Sequence, residues 1–120
     1  MKEVVTRWIS ADVMLVPREN GRPQQPSHIF GGYRNSNLRF ERMGGGYALP
    51  VGGATLFPVD HDELGVGETG SVRMHVYGED ALNTALCVGA RFLLTEGGRP
   101  VVLGMITALL PDASDPPSAP

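Results

Sequence analysis

A chain of 120 residues has room for one domain with its own core. Its 42% hydrophobic and 19% charged residues suit a globule, no run of 18 apolar residues offers a membrane span, and a single cysteine, Cys87, excludes an internal disulfide framework and a multi-cysteine zinc site. The net charge of −3 is uneven: seven cations against four acids give +3 over residues 1–50, and three against nine give −6 over residues 51–120.

Lys2, Glu3 and Arg7 charge the N-terminus without an apolar run behind them, which argues against a signal peptide and for a cytoplasmic protein. Between Val4 and Val16 the residues Val5, Ile9, Ala11, Val13 and Leu15 share one parity, as an inward strand face does. Pro17 ends that strand, Asn20-Gly21 centres a turn, and Pro23 and Pro26 bracket an extended link. His28 to Tyr33 reads as a short strand whose Gly31-Gly32 pair permits a bulge. Leu38 to Met43 alternates, Gly44-Gly45-Gly46 turns the chain, and Tyr47 to Val51 is expected to be a short strand.

Residues 58–70 are a loop by composition. Val72, Met74 and Val76 alternate with Arg73, His75 and Tyr77 in the clearest half-buried strand of the chain, whereas residues 80–88 fit a helical turn or a strand equally well. Ala90 to Thr95 and Val101 to Leu110 flank Glu96-Gly97-Gly98-Arg99, a hairpin whose tip needs glycine because a primed turn takes positive φ. From Pro111 to Pro120 four prolines and two aspartates accompany no large apolar residue, the composition of a disordered tail. Six or seven strands with turns between them and no long helix describe an all-β antiparallel barrel or sandwich.

Chemistry-bearing motifs are sparse. No G-x-x-x-x-G-K-[ST] motif occurs, and His28, His61 and His75 lack metal-site spacing. Asp60-His61-Asp62-Glu63 is the densest polar cluster and has the residue types for a divalent cation or a general base, although loops concentrate such residues without that role. Cys87 reads as a buried structural thiol, Met14, Met43, Met74 and Met105 as core filler, and Trp8 as buried. No cofactor is expected.

Three stretches carry a resemblance: Ile29-Phe30-Gly31-Gly32-Tyr33-Arg34, Val66-Gly67-Glu68, and Ala90 to Val101 with its R-F-x-x-x-E-G-G-R core. In this order they are similar to the C-terminal domain, domain III, of elongation factor Tu, and the A-D-V-M-L-V-P-R-E-N-G-R opening resembles that domain's first strand and turn. The resemblance covers about residues 4–110. It implies an all-β fold, a closed six-stranded antiparallel β-barrel of the translation-factor domain III type, over residues 1–110. The GTPase domain of that family has no counterpart in this sequence, so the resemblance implies a non-catalytic module and not GTP hydrolysis.

The family's barrel contacts tRNA, its own GTPase domain and the exchange factor. Carried over residue by residue, the candidate RNA- or partner-binding positions are Tyr33, Arg34, Glu96, Gly97, Gly98 and Arg99. The family's Arg-Pro-Gln is Arg34-Asn35-Ser36-Asn37 here, with an apparent extra residue. The basic residue before E-G-G-R is Thr95, and a later glycine is Val102. Fewer phosphate contacts imply weak tRNA binding. The leading expectation is therefore a translation-related protein-binding module with the acidic 58–70 loop as recognition surface. Weak binding of tRNA or structured RNA comes second, and a small enzyme or metal protein built on Asp60 to Glu63 third. A barrel related to one that packs on other domains is also expected to expose an apolar patch and to form a homodimer.

Overall fold

The computed structural model describes residues 5–17 and 28–111. The Asn20-Gly21 turn, the Pro23–Pro26 link and the tail beyond Pro111 lie outside the described residues. In chain order the elements are β1 (Val5–Leu15), β2 (His28–Phe30), β3 (Tyr33–Phe40), β4 (Gly52–Pro58), β5 (Glu63–Gly65), β6 (Thr69–Gly78), α1 (Ala81–Ala85), β7 (Arg91–Glu96) and β8 (Arg99–Leu109). Six strands close into a barrel in the order β1-β6-β4-β3-β7-β8, every pair antiparallel, and β2 and β5 form a separate ribbon. Closure leaves no open edge on the main sheet.

Alternation decides what lies inside. Ile9, Ala11, Val13 and Leu15 of β1 point inward, as their shared parity predicts, and so do Val72, Met74 and Val76 of β6. Leu38, Phe40, Ala54, Leu56, Phe92, Leu94, Val102 and Ile106 complete a continuous apolar core. Each end of the barrel carries a plug. At the end bearing the β7–β8 hairpin, the β2–β5 ribbon buries Ile29 and Leu64. At the other end α1 and the residue after it bury Leu82 and Leu86. A five-residue helix is marginal by itself, so this one is held by those two leucines.

The expected strand over Tyr47 to Val51 is replaced by an isolated bridge between Tyr47 and Glu41, and the strand begins at Gly52. In the barrel a Cβ on Gly52 would lie 1.9 Å from the Tyr77 carbonyl oxygen, so glycine lets β4 pair with β6 there. The His28–Tyr33 stretch is also divided, with Gly31-Gly32 turning the chain between β2 and β3. The ambiguous residues 80–88 contain the helix α1.

Two expectations about single residues are corrected. Cys87 is exposed, because Leu86 takes the core position at the end of the helical segment and the next side chain turns outward. Of the four methionines expected as core filler, Met74 alone is fully buried; Met14 is half-buried, and Met43 and Met105 are exposed. Trp8 is buried as expected, but on the outer face of β1, where its ring stacks on His75 of β6 at 4.8 Å and reaches Phe57 of β4 at 5.7 Å.

Candidate binding surfaces at the hairpin end

The β7–β8 hairpin is a two-residue turn. Gly97 (φ 58°) and Gly98 (φ 76°) stand between the paired residues Glu96 and Arg99. Two successive positive φ angles match a type I′ turn, the connection whose twist suits antiparallel strands. A Cβ at either glycine would meet nothing within 4 Å, so the tip is open to solvent.

Tyr33, at the start of β3, reaches this hairpin and donates its hydroxyl hydrogen to Glu96 Oε2. Behind it Asn35, only 6% exposed, donates through Nδ2 to the Thr95 carbonyl at 3.0 Å and to Tyr33 Oη at 3.3 Å. Its Oδ1 accepts from the Asn37 backbone N–H at 2.8 Å. That last bond closes an Asx turn over a bulge in β3: Asn35 pairs with Ala54 and Leu38 with Gly52, three steps against two. The Arg34-Asn35-Ser36-Asn37 segment thus carries a bulge.

Burial pushes the Tyr33 hydroxyl well above its ordinary value of 10.0, and the hydrogen bond to Glu96 raises it further. The Asn35 hydrogen bond and the positive charge of Arg99 oppose the shift. Tyr33 is therefore a neutral donor at physiological pH. The Glu96 carboxylate beside the tip is unfavourable to a phosphate, while Arg99 favours one.

The predicted candidates separate into two groups. Tyr33, Glu96, Gly97, Gly98 and Arg99 come together at the hairpin. Arg34 does not join them. Tyr33 pairs with Leu56 and Arg34 with Thr55, so alternation sends Arg34 to the outer face of β3. Asn35 went unrecognised as the centre of this network, because its partner Thr95 lies 60 residues away in sequence.

Beside β4, the loop expected from composition forms an open depression of about 970 Å³ lined by Gly31, Val59, Asp60, Asp62, Glu63 and Glu68, among others. Glu68 Oε1 accepts from the Gly65 backbone N–H at 2.6 Å and so holds the loop's return into β6. His28 Nε2 stands 3.9 Å from Glu63. The Phe57 ring lies beside Gly31, and Phe30, Phe57 and Val59 are exposed. Asp60, His61, Asp62 and Glu63 are not gathered around a common point, and among the described residues no group of three or more His, Cys, Asp or Glu side chains is placed to hold a metal ion. No helix of the described residues is long and apolar enough to cross a membrane. Compared with known proteins, the chain matches no family model, and no curated protein matches it in sequence.

Proposed function

We infer that this chain is a non-catalytic binding module that engages a protein partner, acting in the cytoplasm in connection with translation. The observation that carries the reading is the depression beside β4. There Asp60, Asp62, Glu63 and Glu68 surround exposed Val59, with Phe30 and Phe57 at its side. Apolar surface rimmed by charge of one sign is suited to protein recognition. The sign selects a partner with a basic face and opposes a polyanion. The interior of the barrel is filled by side chains, so the outer surface and the two ends are what the fold offers a partner. The link to translation rests on the resemblance to domain III of elongation factor Tu, whose implied fold is the six-stranded closed barrel described above.

A second reading, weak binding of tRNA or structured RNA, is favoured by the open Gly97-Gly98 tip with Arg99 beside it. One experiment separates the two. The immobilised chain and an Asp60→Lys, Asp62→Lys, Glu63→Lys variant are exposed to the same lysate, and purified aminoacylated tRNA is offered in parallel at low salt. The expected result is a protein retained by the native chain and released by the variant, with no saturable tRNA binding. Salt-sensitive tRNA binding lost in Arg99→Ala, without a charge-dependent protein partner, would overturn the first reading in favour of the second.

A further inference from the structure

The outer face of a small closed barrel meets water and is expected to be polar. Around β8 it is not. In the register of the barrel, Leu103 of β8 lies between Met14 of β1 and Leu93 of β7 on the outward parity; Leu93 is itself buried, and Met14 and Leu103 are half-buried. The next outward row on the same strands is Asp12, Met105 and Arg91, again with the β8 residue at the centre. Met14, Leu103 and Met105 floor a groove of about 340 Å³, walled on one side by Tyr47. Met105 is 39% exposed.

The second row carries one negative and one positive residue, one strand spacing to either side of Met105; Asp12 Oδ1 accepts from Ser71 Oγ of β6 at 3.0 Å, a neutral partner that leaves the carboxylate its charge. This arrangement is complementary to itself. When two identical faces meet, the two-fold axis lies in the plane between them. An axis running along β8 reverses the order across the strands and keeps the order along them. Met105 then meets Met105 of the second copy, Leu103 meets Leu103, and Asp12 of each copy faces Arg91 of the other. Two ion pairs thus flank an apolar centre, as an isologous interface requires.

We propose that the outer face of β1, β8 and β7 docks a second copy of this chain about a two-fold axis along β8, with Asp12 of each copy paired to Arg91 of the other. The inference goes beyond the protein-binding reading and does not depend on it. β8 and β4 are diametrically opposite in the strand order, so the dimer leaves both acidic depressions facing outward. A partner with two sites would then gain from bivalent attachment.

The test is a charge-swap mixing experiment on the full chain, read as molar mass by light scattering and sedimentation equilibrium. The native chain is expected to double its mass as concentration rises. Asp12→Arg alone sets arginine against arginine twice, Arg91→Asp alone sets aspartate against aspartate twice, and each is expected to remain a monomer. Mixed in equal amounts they restore both opposite-charge pairs and are expected to form a one-to-one heterodimer. Recovery in the mixture also shows that both variants are folded. A native chain that stays monomeric at every concentration would overturn the proposal. So would a dimer that persists in both single variants, or a mixture that fails to associate. Loss of the lysate partner in the loop variant leaves this result untouched, so the two readings fail separately.

Discussion

Phe92 occupies the space that Gly104 leaves empty: a Cβ built on Gly104 would lie 2.3 Å from Phe92 Cζ. The two residues face each other across β7 and β8, with the Phe92 ring 6.5 Å from Phe40 in an edge-on arrangement. A six-stranded barrel has little interior volume, so one large ring requires one absent side chain. Gly104→Ala is expected to destabilise the fold by about 1–3 kcal/mol through overpacking. Chemical denaturation measures this as a lowered midpoint at unchanged slope. The double variant Phe92→Leu, Gly104→Ala tests the cause, since it should recover part of the loss. If the double variant is as unstable as the sum of the two single variants, the contact is not what demands glycine.

Asn35 presents the opposite problem, a polar side chain inside. Its amide satisfies the Thr95 carbonyl and the Asn37 N–H together, joining β3 to the β7–β8 hairpin across the bulge. Asn35→Ala would strand both backbone groups, and a stranded buried group costs about 1–3 kcal/mol. Asn35→Asp keeps the acceptor for Asn37 and loses the donor for Thr95, so it should also be destabilised. Hydrogen exchange at Asn37 should quicken in the alanine variant far more than in the aspartate variant. Equal acceleration in the two would mean that the Oδ1 bond does not hold the bulge.

What the sequence made legible follows the same physics. β6 was readable because Val72, Met74 and Val76 alternate with Arg73, His75 and Tyr77, and β1 because Ile9, Ala11, Val13 and Leu15 share the inward parity, although apolar Trp8 and Met14 stand on its outward one; the hairpin was readable because Gly97-Gly98 is a local turn signal. β4 was hidden because Gly52 serves a neighbour, Tyr77, that sequence order does not place beside it. The methionines misled for a related reason. Met74 and Met105 both sit in strands, but Met105 falls on the outward parity of β8, which becomes visible once Val102 and Ile106 are known to point inward. At the hairpin, the resemblance grouped Tyr33 with Arg34, while strand alternation sends two consecutive residues to opposite faces.

The Tyr33–Glu96 hydrogen bond makes a prediction about alkaline pH. Burial and the neighbouring carboxylate raise the folded-state Tyr33 hydroxyl above its unfolded value, so the folded chain holds this proton more tightly. The sign follows from linkage. The contribution is complete below the unfolded value of 10.0 and is lost as pH climbs from there through the folded value. Stability should therefore show an alkaline decline that is shallower in Tyr33→Phe. At neutral pH that substitution removes two hydrogen bonds, the one donated to Glu96, whose exposed carboxylate water can resolvate, and the one accepted from Asn35 Nδ2, a loss of about 1–3 kcal/mol. A spectrophotometric titration of the native chain should show a late-ionising phenol that Tyr33→Phe lacks. A native curve without that late step would mean that the Tyr33 proton is not held by burial and Glu96.

Trp8 is the single tryptophan of the chain, which makes its contact with His75 directly observable. The indole lies on the outer face of β1, yet only 8% of its residue surface is accessible, because the His75 and Phe57 rings cover it. Its emission should therefore be that of a shielded indole. His75→Ala should shift the emission to longer wavelength and make it more accessible to a dissolved quencher such as acrylamide, because water then reaches the ring. His75→Phe should keep the shielding, since a ring of similar shape covers the same face of the indole. Far-ultraviolet dichroism followed in parallel shows that both variants keep the fold. Unchanged emission and quenching in His75→Ala would mean that the imidazole does not shield the indole.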